Sequence, residues 1–70
     1  MKARILVIDD DADVRDSLKM ILEYEGYDCL LAPSGQEGIG RVERERPDLV
    51  FVDIKMPGMD GLEVVRRIKV

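Results

Sequence analysis

The chain has 70 residues, 46% of them hydrophobic and 37% charged, which suits one ordered globular domain and argues against a disordered chain. A chain this short buries only about 60% of its unfolded surface and has room for a single core. Its net charge of -4 gives no basic footprint for nucleic acid or an anionic membrane, although Arg66, Arg67 and Lys69 cluster locally, and its single cysteine with no histidine excludes an internal disulfide and a Cys/His zinc site, pointing to a reducing, cytoplasmic setting.

Residues 5–8 form a short, mostly β-branched run that reads as a strand buried on both faces. Lys2 and Arg4 precede this run, but four apolar residues ending in three acids are too short for a signal peptide or a membrane span. Val14, Leu18, Ile21 and Leu22 then recur at helical spacing, and Gly26 stands where a C-terminal glycine belongs. Residues 27–32 return to strand character, with Cys29 as a small packed hydrophobe.

Ser34, with Glu37 three positions on, has the form of a capping box opening a second helix. That helix reads as weak: Ile39 and Val42 alone make its apolar stripe, and Gly38 and Gly40 each cost about 1 kcal/mol relative to alanine. Pro47 closes it, residues 49–52 form a fully apolar strand, and a third helix begins at Leu62 with Val65 and Ile68 on one face. The charge runs "DADVRD" and "RVERER" read as solvated helix faces, and no repeat or linker interrupts the chain.

The order βαβαβα with fully apolar strands predicts a parallel sheet flanked by helices. The strands can lie in sequence order, or the first can lie between the others as 2-1-3. The second winding opens a switch point at the carboxyl ends of strands one and three, where open α/β sheets bind ligands. It would bring Asp9 and Asp10 beside Asp53 on a neighbouring strand about 4.8 Å away. Two unit charges about 4 Å apart repel by about 4 kcal/mol at an effective dielectric near 20, so three such acids need a counter-charge or protons.

A divalent cation supplies that charge. Magnesium suits the role better than calcium, because it takes one or two carboxylates, keeps waters and leaves positions for phosphate oxygens. One carboxylate could then act as nucleophile toward a phosphoryl group, and Asp53, held between apolar Val52 and Ile54, is favoured. Plainer readings stand beside this one. Asp10, Asp11 or Asp13 could cap the first helix, and for Asp11 and Asp13 capping or solvation is preferred. Asp60 reads as the N-cap of the third helix with Gly61 at its first position. Pro57-Gly58 reads as a turn that would hold the Lys55 carbonyl toward a metal, with Met56 and Met59 as gap-fillers.

Taken together, "ILVIDDDADVR", "PDLVFVDIKMPGMDGLEVVRRIK" and the spacing between them closely resemble the receiver domain of two-component response regulators, especially those attached to transcription activators of the nitrogen-regulation type. The match runs from Arg4 to Lys69. The resemblance implies an α/β fold with a partial flavodoxin-like, doubly wound parallel sheet in strand order 2-1-3, truncated before strands 4 and 5, so that residues 1–70 are the N-terminal part of a receiver domain. It implies that Asp53 accepts a phosphoryl group from a sensor histidine kinase, with no turnover beyond that transfer to its own aspartate. Mg²⁺ would be held by the side chains of Asp10 and Asp53 and the backbone carbonyl of Lys55, with Asp9 acting mainly through water. The signal would pass to an output domain of the parent protein, transcriptional by resemblance, with no nucleic-acid or membrane contact by this segment.

The family's Ser/Thr on strand 4 and Lys on strand 5 have no counterpart here. With those strands missing, strand 3 becomes an apolar edge, which predicts a homo-oligomer formed through that edge or through the bare sheet face. Two other readings compete with the receiver. One is a haloacid-dehalogenase-like phosphatase, whose D-x-D-x-T/V motif is met by "DDDAD" except that Asp13 stands where Thr or Val belongs. The other is an inert, self-associating half-domain.

Overall fold

The computed structural model describes residues 2–53 and 61–69, as β1 (Arg4–Ile8), α1 (Ala12–Tyr24), β2 (Asp28–Ala32), α2 (Gly35–Glu45), β3 (Leu49–Val52) and α3 (Gly61–Lys69). β1 pairs in parallel with both other strands, giving the order β2-β1-β3, so the doubly wound alternative is the one adopted. Right-handed crossovers then send α1 to one face of the sheet and α2 to the other.

Side chains alternate across the sheet, and the two faces are finished differently. Leu6, Ile8, Ala32 and Val64 form the buried cluster under α2 and α3, joined by half-buried Leu30, Ile39, Val42, Val50, Val52 and Ile68. On the opposite face α1 packs over β2 and β1, burying Ile5, Val7 and Cys29. α1 packs mainly on β2 and β1, and Leu49 and Phe51 of β3 remain 51% and 44% exposed. Among the described residues β3 is covered on its α3 side and open on the other, in line with the bare sheet face expected from the sequence. No residue of α1 is fully buried; Leu18 and Leu22 are half-buried, while Val14 and Ile21 are exposed.

The rotation of α3 also differs from its sequence reading. Val64 is fully buried and Ile68 half-buried, whereas Val65 is 38% exposed. Val64 and Ile68 lie four apart on one stripe, and packing of α3 against α2 turns that stripe inward. The helix begins at Gly61, the first helical position expected if Asp60 is its N-cap, and one residue before Leu62; Asp60 itself lies outside the described residues. The second strand begins at Asp28, leaving Tyr27 outside it and exposed.

Helix ends follow their local chemistry. Asp11 is the N-cap of α1, its carboxylate accepting from the N–H groups of Asp13 and Val14. At the other end Gly26, at φ 93°, donates to the Glu23 carbonyl while the Tyr27 N–H reaches the Leu22 carbonyl, the paired bonds of a Schellman motif. Ser34 caps α2 by accepting from the Glu37 N–H at 3.2 Å. Ser34→Ala is expected to cost about 1 kcal/mol, read as a lower midpoint in thermal unfolding. α2 ends at Glu45, before Pro47, with Arg46 in the left-handed region.

Gly38 changes the reading of α2 as a weak helix. It is buried against β1, and a Cβ built there would collide with Ile8 Cδ1 and lie 2.7 Å from Ile8 Cγ1. The glycine lowers helix propensity but admits the close approach of α2 to the sheet. Among the described residues, no helix is long and apolar enough to cross a membrane.

Candidate metal centre

The register of the sheet builds the site. Ile8 lies opposite both Ala32 and Val52, so the residue after each outer strand pair falls on one rim: Asp9 beyond β1 and Asp53 beyond β3. The ladder continues past the strand ends, because the Asp9 N–H donates to the Ala32 carbonyl at 3.1 Å and the Asp53 N–H to the Ile8 carbonyl at 2.9 Å. These bonds fix the backbone under two of the three acids.

Asp9, Asp10 and Asp53 each offer a carboxylate oxygen, and these oxygens lie within 4.8 Å of one another. Asp9 and Asp53 are half-buried and Asp10 is exposed, so the cluster is anchored on the protein side and open to water on the other. A set of hard oxygen donors with an open side suits Mg²⁺, which retains water and accepts phosphate oxygens. A shallow depression of about 190 Å³ runs beneath the acids, lined by Val7, Leu18, Phe51 and Val52 together with Asp9 and Asp53.

The connection from β1 to α1 is held at several points. The Asp11 N–H donates to Asp9 Oδ1 at 2.9 Å, while Asp11 itself caps the helix. Arg15, in the second turn of α1, reaches back six residues to donate from Nη1 to the Asp9 carbonyl at 2.7 Å. Sequence reasoning missed Arg15: within "DADVRD" it reads as part of a solvated face, yet it is half-buried between exposed Val14 and Asp16. Its distance of six residues from Asp9 was the available signal, since a side chain projecting toward the helix N-terminus covers that span.

Asp13 lies in the first turn of α1 and not among the converging acids. Lys55, Met56, Pro57, Gly58, Met59 and Asp60 lie outside the described residues, and with them the Lys55 carbonyl and the turn after β3. Cys29 is buried in β2, and that burial, with the charge of Glu23 second, pushes its thiol up from the ordinary value. Such a thiol behaves as a packed hydrophobe.

Comparison with known proteins agrees with this fold. The family model for the response regulator receiver domain matches residues 5–70. The chain is 46% identical over 69 residues to response regulator MprA of Mycolicibacterium vanbaalenii, covering 99% of this chain and 30% of that protein. It is 43% identical over 70 residues to sporulation initiation phosphotransferase F of Bacillus subtilis, covering 100% of this chain and 56% of that protein. Among solved structures it superposes on response regulator TrrA of Thermotoga maritima, solved in complex with Mg²⁺-BeF, with a TM-score of 0.93, 45% identity, and coverage of 99% of this chain and 59% of the other. The Vibrio cholerae chemotaxis protein CheY4 gives a TM-score of 0.96 at 29% identity, covering 99% and 57%. The chain thus spans between 30% and 59% of the length of these relatives.

Proposed function

The chain belongs to the response regulator receiver domains, which are signalling domains of two-component systems, and from that premise we propose that residues 1–70 are the N-terminal part of a receiver whose Asp53 takes a phosphoryl group from a sensor histidine kinase. The convergence of Asp9, Asp10 and Asp53 on one rim of the sheet carries this reading. The proposal places the protein in the cytoplasm and passes the signal to an output domain of the parent protein.

In this reading the side chains of Asp10 and Asp53 hold Mg²⁺ directly and Asp9 acts through water; the Lys55 carbonyl completes the proposed set. When bound, Mg²⁺ supplies positive charge against the oxygens of the incoming phosphoryl group. Asp53 is the nucleophile: its carboxylate oxygen forms a bond to phosphorus as the phosphorus–nitrogen bond of the phosphohistidine breaks. The imidazole leaves with the bonding pair and takes a proton from solvent, and Asp53 becomes an acyl phosphate. The backbone bond from the Asp53 N–H to the Ile8 carbonyl holds the nucleophile at the strand end while its oxygen reacts.

The test uses acetyl phosphate as a small phosphoryl donor. Intact-mass spectrometry should find one labile phosphoryl adduct in the presence of Mg²⁺ and none after EDTA. An unmodified mass with Mg²⁺ present would sink the proposal. The exposed Leu49 and Phe51 favour a second reading for this chain, self-association through β3 or its uncovered face without phosphotransfer, and the absence of adduct is the outcome that reading requires. A phosphatase is disfavoured, because Asp13 of its motif stands in α1 and outside the acid cluster.

A further inference from the structure

We propose that Arg15 is a positioning residue for the acidic centre, presetting the direction of the Asp10 carboxylate by holding the Asp9 carbonyl from helix α1. The inference rests on the reading of Asp9, Asp10 and Asp53 as a Mg²⁺ site and concerns a residue outside that acid set.

The geometry that carries it is a chain of fixed points around a short connection. The Asp9 N–H is held by Ala32, its Oδ1 by the Asp11 N–H, and its carbonyl by Arg15. Asp11 is held in turn by the first turn of α1, through the N–H groups of Asp13 and Val14. Asp10 stands between these fixed points and is itself exposed. The peptide plane joining Asp9 to Asp10 is thus oriented by the carbonyl that Arg15 holds. Without the guanidinium this plane is freer to rotate about the Asp9 ψ and Asp10 φ angles, which loosens the backbone on which the Asp10 carboxylate stands. The bond is short and comes from an ionised donor, the stronger class of hydrogen bond.

A competing effect has the opposite sign. The Arg15 charge repels a divalent cation, so its removal would tighten binding if charge dominated. The two effects separate experimentally, because salt screens charge and leaves a short hydrogen bond in place: the Debye length falls from about 8 Å at 0.15 M to about 3 Å at 1 M. Outer partners that orient metal ligands typically contribute about 10- to 100-fold to metal affinity.

The experiment compares the chain with its Arg15→Met, Arg15→Lys and Asp10→Asn variants, titrating Mg²⁺ by amide NMR at the two salt concentrations and recording backbone order parameters without metal. Arg15→Met is expected to weaken Mg²⁺ binding about tenfold or more at both concentrations. It should also lower the order parameters of the Asp10 and Asp11 amides from about 0.85 toward 0.6. Arg15→Lys, keeping charge and one donor, should recover part of both effects. Undiminished Mg²⁺ affinity in Arg15→Met overturns the proposal, and so do unchanged order parameters; a merely structural arginine would lower the thermal midpoint and move neither. If the unsubstituted chain responds to Mg²⁺ no more than Asp10→Asn does, the proposed function fails, and the metal-free order parameters alone decide the role of Arg15.

Discussion

Asp53→Ala is expected to abolish the acetyl phosphate adduct completely, and Asp53→Asn should do the same while preserving the shape of the side chain. The amide has no ionised oxygen to attack phosphorus, so loss in both variants separates nucleophilicity from packing. Asp11→Asn supplies the contrast. Asp11 lies two residues from Asp9 in the same acidic run but is occupied as the N-cap of α1, and asparagine caps about as well as aspartate. This variant should retain the adduct. Survival of the adduct in Asp53→Ala would move the acceptor to another residue and break the proposed mechanism, whereas its loss in Asp11→Asn would place that carboxylate in the chemistry.

The second large effect concerns stability. Gly38→Val is expected to cost about 3 kcal/mol, the upper end for an overpacked core, because its Cβ would fall within 2.7 Å of two atoms of Ile8, a residue with no exposed surface. In a domain of this size each kcal/mol lowers the thermal midpoint by about 4–8 °C. Gly40→Ala is the control on the same helix: the nearest atom to its Cβ is the flexible end of Arg44, at 3.1 Å, so the change should be neutral or stabilising by up to about 1 kcal/mol. Ile8→Ala in the Gly38→Val background makes the room that valine needs. The double variant should therefore be more stable than the sum of the two single losses, and strict additivity in calorimetry would contradict the close approach of α2 to β1.

The winding of the sheet was legible because fully apolar strands alternating with amphipathic stretches leave few topologies, and acids ending two such strands favour the one that brings them together. The meeting of Asp9, Asp10 and Asp53 follows from the register, which aligns Ile8 with Val52. What was not legible depended on partners distant in sequence. Gly38 was read by its helix propensity, a local quantity, while its reason for being there is Ile8, thirty positions earlier on another element. Val64 and Val65 are adjacent and alike, and only the packing of α3 on α2 decides which turns inward. Arg15 escaped notice because a long charged side chain on a helix ordinarily extends into water, and nothing local marks one that folds back.

The strand Leu49–Val52 has consequences beyond its place under the site. Its four residues, Leu-Val-Phe-Val, combine high β-propensity with an uncovered face, the composition that recruits unfolded neighbours into intermolecular sheets. Asp48 stands immediately before it and Asp53 immediately after, so negative charge brackets the segment at both ends as gatekeepers do. An uncharged residue at position 53 would remove one of the two charges flanking this segment and is expected to raise its tendency to pair with neighbouring chains.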